Sequence, residues 1–304
     1  MPHSRPASKA YAMLALVMLL WAGNSLVGRA MRDDIPPFTL SFVRWLLACT
    51  LLLPLVFRQF RADLPAMLRQ WPVVVALGVI GVAGFNGFLY KGLHYTTATN
   101  GLLMQAAIPA LVLLIDRMIF RVRPSGWQLS GVMLSTLGVA LIVFKADVAA
   151  ITQLQFGEGD VLVLCGVVGW AVYTALLRLR PAVAQASLLA ATFIIGALTM
   201  TPFALTEWQA AQQIVWTPSV FGAFIYVAIF PSVIAYFLYN RAVAEIGPGR
   251  AGQAISLMPL FGALLATFVL HEPLHRYHLI GMALILGGVG VTIFGARRGG
   301  PAQA

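Results

Sequence analysis

Charge is scarce in this chain. Asp, Glu, Lys and Arg together make up 10% of its 304 residues, against about 25% in a soluble globular protein. So little charge cannot furnish a water-facing surface, which excludes an ordinary soluble enzyme and a disordered chain. Cysteine is nearly absent. Cys49 and Cys165 each fall inside an apolar run, where a thiol behaves as a small hydrophobe. No disulfide and no cysteine metal site is expected. Long polar stretches are missing too, so no soluble domain is expected. The apolar runs are continuous rather than alternating, which argues against the strands of a membrane barrel.

What fills the chain is hydrophobic: 60% of residues, with a mean hydropathy of +0.86. The expected fold is an all-α polytopic membrane protein. A hydrocarbon core of about 30 Å needs roughly 20 residues of helix. Ten segments meet this: 11–31, 37–57, 73–93, 97–117, 125–144, 160–179, 185–204, 219–239, 251–270 and 277–295. The basic start and apolar stretch at the N-terminus carry no convincing cleavage site, so that segment is read as a retained first span.

The formal charge is +10, which raises nucleic acid as a partner. A nucleic-acid groove needs clustered charge on a soluble face, whereas here the cations come in small groups between apolar runs. No nucleic-acid partner is expected. With the N-terminus inside, 14 Lys and Arg fall on the inner side and 5 on the outer, and Arg44 lies well within a span. That asymmetry places both termini in the cytoplasm and supports an even number of spans.

The two halves resemble each other. Trp21-Ala22 and Trp170-Ala171 lie 149 positions apart, as do Ser25 and Thr174, Arg29 and Arg178, and Phe88-Leu89-Tyr90 and Phe237-Leu238-Tyr239. After a one-residue slip, Pro109 meets Pro259, Gly131 meets Gly281 and Gly138 meets Gly288. So many anchors in one register are hard to obtain by chance. Residues 1–145 and 146–304 are therefore expected to be two repeats of five spans each. Five is odd, so the second copy enters the membrane from the opposite side. Inverted repeats suit transporters, because pseudo-equivalent halves can exchange roles around a central site.

With these motifs in hand, the chain resembles the EamA type of the drug/metabolite transporter superfamily over about residues 11–295. Members typically open each half with a small, polar and aromatic helix, here Trp21-Ala22-Gly23-Asn24-Ser25 and Trp170-Ala171-Val172-Tyr173-Thr174. They typically close each half with a proline-containing helix, a Glu-containing turn and a small-residue helix face. The second half has Pro259, His271-Glu272-Pro273-Leu274, Gly281 and Gly288. The first half departs, with Arg121-Val122-Arg123 where Glu would stand. Trp21, Trp170 and the Phe88-Leu89-Tyr90 segment look most similar to the YddG-type aromatic amino acid exporters. That resemblance implies export of aromatic and other hydrophobic amino acids across a bacterial inner membrane. Alternatives on the same fold are drug, nucleotide-sugar or lipid transport. An integral membrane enzyme or an assembly protein is the different-class alternative.

Trp21 and Trp170 sit near the middle of their spans, where an indole N–H must be buried or face a cavity. A cavity-lining role is the expectation, and helix packing the alternative. Tyr90 and Tyr239 form a second symmetric pair, as gates or as an interfacial belt. Asn24, one turn after Trp21, Asn86, one turn before Tyr90, and Gln105 and Ser256, near the span prolines, could bind a substrate zwitterion or bridge helices. Tyr173 joins them as a substrate-binding candidate. Pro109 and Pro259 are expected to act as matched hinges. Arg44 could hold a substrate carboxylate, snorkel or bind a carbonyl. No span centre holds Asp, Glu or His, so no carboxylate-based antiport site is expected.

No metal or cofactor is expected either. His271-Glu272-Pro273-Leu274-His275 matches the zinc-hydrolase pattern H-E-x-x-H. Pro273 interrupts the continuous helix that pattern requires, and a loop role is preferred. The partners expected are a small-molecule substrate and the lipid bilayer.

In a cysteine-free background, Arg121→Cys should react with an impermeant maleimide only from the cytoplasmic side, and His271→Cys only from outside. Labelling of both from one side would remove the inverted repeat.

Overall fold

The computed structural model describes residues 5–96, 101, 104–144, 157–270 and 275–298. Over these residues the chain forms helices joined by short turns, with no strand. In chain order they are α1 (Arg5–Ala30), α2 (Pro37–Arg69), α3 (Trp71–Tyr95), α4 (Ile108–Ile119), α5 (Gly126–Val143), α6 (Glu158–Leu179), α7 (Gln185–Thr206), α8 (Pro218–Ile246), α9 (248–270) and α10 (Arg276–Arg298). Seven of the described helices are long and apolar enough to cross a bilayer: Ser8–Gly28, Pro37–Arg69, Trp71–Tyr95, Glu158–Leu179, Gln185–Thr206, Pro218–Ile246 and Arg276–Gly295. The start of the expected fourth span, the 145/146 repeat boundary and His271 to Leu274 lie outside the described residues.

Local chemistry sets the ends. Pro37 and Pro218 open α2 and α8, where the missing N–H costs nothing. The Thr217 hydroxyl accepts from the Val220 N–H at 3.3 Å. A capping box starts α5: the Ser125 hydroxyl accepts from the Gln128 N–H, and the Gln128 side chain accepts from the Ser125 N–H. Gly247, at φ +84, makes the turn out of α8. At 33 residues, α2 is about 50 Å long. It therefore runs past the expected span end at residue 57, carrying Arg58, Arg61 and Arg69 beyond an apolar core of about 30 Å.

Helix pairs follow the repeat. α3 packs on α6 as α8 packs on α1, and α4 packs on α6 as α9 packs on α1. α2 meets α7, α4 meets α9, and α5 meets α10. Replacing every helix by the one five places along leaves this pattern unchanged.

The α5–α10 seam depends on glycine. A Cβ on Gly131 would stand 2.6 Å from the Gly288 carbonyl oxygen, and one on Gly138 would stand 2.6 Å from that of Gly281. The residue early in one helix thus faces the residue late in the other, so the two glycine faces pack antiparallel. The glycines of α3 serve the same end. A Cβ on Gly78 would strike Ile195, and one on Gly81 would strike the Tyr173 ring at 2.0 Å.

Two irregularities recur at matched places. α3 is π-helical over Leu77–Gly84, and α8 over Ile229–Ile234. α4 restarts at Ile108 after a turn, with Pro109 in its first turn. In α9 a 3-10 stretch at Ala254–Leu257 precedes the helix Met258–Leu270, whose second residue is Pro259. Both prolines therefore sit where a helix begins again, not in the middle of an unbroken one.

Gly138→Leu should lower stability by at least about 1–3 kcal/mol through overpacking. At Gly222 nothing lies within 4 Å of an added Cβ, so Gly222→Ala should be neutral or stabilising by up to about 1 kcal/mol. Melting temperatures of the purified variants in detergent check the contrast.

Candidate functional site

The bundle centre is aromatic. Trp21 of α1 and Trp170 of α6 meet edge to face, with centroids 4.9 Å apart and planes at 88°, a favoured quadrupole geometry. Tyr239 stands 5.1 Å from Trp21 and 5.4 Å from Trp170. Tyr236 packs edge-on to both indoles, Phe85 lies 4.9 Å from Trp170 and Tyr173 lies 5.0 Å from it. The Trp21 indole N–H donates to the Pro231 carbonyl at 3.0 Å. The Trp170 N–H, equally buried, meets no acceptor in hydrogen-bonding geometry.

A guanidinium sits beside this aromatic group. Arg44 of α2 is 1% exposed. Its Nε donates to the Ser232 hydroxyl at 2.5 Å. Its Nη1 faces Asn86 Oδ1 at 2.7 Å, the Tyr90 hydroxyl at 2.8 Å and Asn24 Oδ1 at 3.1 Å. Its Nη2 reaches the Pro231 carbonyl at 3.3 Å, and the Trp45 ring lies 4.6 Å from the guanidinium carbon. The ring of acceptors is itself cross-linked. The Tyr90 hydroxyl donates to Asn24 at 2.8 Å, the Asn86 amide to the Tyr236 hydroxyl at 3.3 Å, and the Tyr236 hydroxyl to the Gly81 carbonyl at 2.9 Å. α8 contributes because Pro231 has no N–H for the Val227 carbonyl. The Ser232 hydroxyl meets that carbonyl instead, at 2.6 Å, inside the π-helical stretch.

Among the described residues, every group holding Arg44 is neutral. The ion pairs among the described residues are Arg32–Asp33, Arg178–Asp116 and Arg241–Glu245. Arginine stays protonated in any protein environment, so the bundle centre carries an unmatched positive charge. Arg44 does not snorkel to an interface, as one expectation had it.

A cavity of about 20 Å³ opens between these groups. Asn86 and Tyr236 line it beside three repeat-related pairs: Trp21 with Trp170, Gln105 with Ile255, and Ile108 with Met258. The last two pairs flank the breaks in α4 and α9. Asn24, Ser25, Arg44, Phe85 and Leu89 complete the lining. This volume holds about one water molecule, whereas small-molecule pockets run to about 300 Å³ or more. The helices must therefore part before a metabolite fits.

Of the residues singled out from sequence, Trp21, Asn24, Asn86, Gln105 and Trp170 line this cavity. Tyr90 does not line it but holds Arg44 and Asn24. Tyr173 and Tyr239 pack behind the tryptophans, bonded to Asn240 at 2.8 Å and to Thr174 at 3.0 Å. Tyr90 and Tyr239 are 3% and 0% exposed, so neither belongs to an interfacial belt. Ser256 is buried in the 3-10 stretch of α9, off the lining. Tyr236, Phe85 and Ser232 escaped sequence reasoning. A repeat search overlooks Tyr236, because its counterpart at the 149-residue offset, Gly87, differs in type.

One end of the bundle is tied by ions. Arg178 of α6 grips Asp116 of α4 through two bonds, at 3.1 and 2.9 Å. Asp116 is 3% exposed. At the other end of α6, Asp160 accepts from the Gly157 N–H at 2.9 Å and from the Thr96 hydroxyl.

Comparison with known proteins agrees with this architecture. The EamA-like transporter family model matches the chain twice, over residues 8–144 and 157–294. The chain belongs to the EamA-like transporter family, and is a multi-pass membrane transporter. It is similar to an uncharacterized transporter of Archaeoglobus fulgidus, at 32% identity covering 94% of this chain and 97% of that one. It is also similar to the uncharacterized transporter YetK of Bacillus subtilis, at 29% identity covering 93% and 86%. A WAT1-related protein of Arabidopsis thaliana is 22% identical, covering 96% and 82%. One crystal structure superposes with a TM-score of 0.75 at 20% identity, covering 96% of this chain and 99% of the other, which speaks for the fold alone.

Asp116→Asn should weaken the α4–α6 tie. Arg178 is a third exposed, so the loss is expected near about 1–2 kcal/mol, below that of a fully buried pair. The melting temperature should fall, and a cysteine placed beside residue 116 should label faster. Unchanged labelling would mean that the ion pair does not hold this end shut.

Proposed function

We propose that this chain exports small amphiphilic metabolites, above all aromatic and other hydrophobic amino acids, by alternating access through the central cavity. In this reading it has ten spans, in two inverted five-helix repeats over residues 1–145 and 146–304. Both termini lie in the cytoplasm, the membrane is a bacterial inner membrane, and the protein works as a YddG-type exporter. Support for the repeat comes from the helix pairing, which is unchanged on exchange of the halves, and from the antiparallel glycine seam of α5 and α10. Support for the orientation comes from the 14 to 5 split of cations.

The observation that carries the reading is the wall of the cavity. Repeat-related residues of two broken helices and a crossed pair of midplane tryptophans converge on one small space. Broken helices at a repeat interface are where transporters of this kind bind cargo, because only there can irregular backbone survive in a membrane. The indole and phenol faces offer a cargo ring large apolar contact with little entropy loss. The polar groups of the lining, Asn24, Asn86 and Gln105, fix its head. Pro109 and Pro259, at the two helix restarts, act as the hinges, and the π-helical stretches of α3 and α8 supply a second pair of yielding points. With the cavity holding only about one water, the conformation is closed around the site. Asp116–Arg178 then secures the cytoplasmic end, since Arg178 falls on that side by the cation count.

Uptake of labelled amino acids, nucleosides and cationic drugs into proteoliposomes tests the cargo class, with aromatic amino acids expected to move fastest. Trp21→Ala and Trp170→Ala should each cut transport about tenfold or more at equal expression, the loss of one good aromatic contact. Trp71→Ala, at an exposed ring, should stay within about twofold. Equal effects in all three would overturn the site.

A further inference from the structure

We propose that Arg44 is the anion receptor of the central cavity, and that the cargo is selected by its carboxylate and not by its amino group. The inference rests on the central cavity being the transport site, and it narrows the cargo to an organic anion with an apolar or aromatic body.

The first ground is electrostatic. An ion away from water is costly unless a counter-charge compensates it. Arg44 is 1% exposed, and its partners Ser232, Asn24, Asn86, Tyr90 and the Pro231 carbonyl are all neutral. They hold the group in place and leave its charge unmatched. A bound carboxylate supplies the missing charge.

The second ground is donor counting. Three acceptors crowd Nη1, which has two hydrogens. Nη2, which also has two, has only the Pro231 carbonyl at 3.3 Å. One Nη2 hydrogen therefore remains for a carboxylate oxygen, and the second oxygen of that carboxylate can take an Nη1 hydrogen from one of the three acceptors that share two. Asn24, Asn86 and Tyr90 pre-orient the fork, so binding costs little further ordering.

The third ground is the composition of the wall. Arg44 is the sole charged side chain lining the cavity among the described residues. Among the described residues no carboxylate of the lining stands ready for an ammonium. The lining also holds the apolar side chains of Phe85, Trp170, Ile255 and Met258. Position 193, the repeat counterpart of Arg44, is Phe. Only one half thus supplies charge, and the cargo has one defined head-to-tail orientation.

The full-length protein in detergent and in proteoliposomes tests this with three probes of one size: 3-phenylpropionate, phenylalanine and 2-phenylethylamine. For the wild type we expect 3-phenylpropionate to bind and to be transported at least as well as phenylalanine, and 2-phenylethylamine at least tenfold more weakly than either. Arg44→Gln should lose both carboxylates by tenfold or more, and Arg44→Lys should recover part of that loss. Melting temperature and gel filtration check that each variant is folded. Where Arg44→Gln fails to fold, the wild-type panel decides alone. If the amine binds as tightly as the carboxylates, or if folded Arg44→Gln transports them undiminished, the anion-receptor role is wrong while the cavity remains a transport site. If none of the three binds or moves, the transport-site reading fails and takes the receptor with it.

Discussion

A polar group inside a lipid bilayer has no water to turn to, so it must find its partner within the protein. Arg44 sets that constraint at its most severe. Its guanidinium draws acceptors from α1 and from α2's neighbours α3 and α8, the buried Pro231 carbonyl of α8 among them. Much else in the bundle centre follows from meeting that demand. Asn24 and Tyr90 bond each other as well as Arg44. Asn86 continues the chain to Tyr236, and Tyr236 to the Gly81 carbonyl. These bonds join helices of both halves, so any motion that parts the halves must rearrange them.

The same constraint explains why the irregular backbone is where it is. A π-helical or 3-10 stretch leaves some carbonyls without their α-helical partners. In lipid that would be prohibitive, but at the bundle centre side chains take over. Trp21 and Arg44 both use the Pro231 carbonyl, and Ser232 serves that of Val227. The cavity, the bent helices and the polar residues are three aspects of one arrangement. The glycine seam between α5 and α10 contrasts with it. There backbones approach so closely that no Cβ fits, and dispersion over a smooth face holds the pair. One region is packed through small residues with a few hydroxyl-to-carbonyl bonds across the seam, and the other is bonded through a network of polar side chains around a small void.

Much of this could be read in advance from one-dimensional order. Apolar runs of bilayer length give the helices, since hydrophobic thickness maps directly onto residue count. The offset of 149 or 150 positions gives the duplication, and with it the pairing of Trp21 with Trp170 and of Gly131 and Gly138 with Gly281 and Gly288. Midplane position alone was enough to single out both tryptophans as cavity candidates. Asn24, Asn86 and Gln105 stood out because amides are rare and expensive in apolar runs.

Contacts that join residues far apart in the chain were out of reach of such patterns. Nothing near position 44 says that Ser232, 188 residues away, will face it, or that no carboxylate will. The π-helical stretches leave no periodic signature, because their residues are as apolar as those of any other span. Tyr90 and Tyr239 could be gates or a belt by position, and the fold buries both, Tyr90 against Asn24 and Arg44 and Tyr239 against Trp21, Trp170 and Thr174. Order along the chain governs what must leave water. Which buried groups then meet, and which charge stays unmatched, depends on how the helices are set against one another.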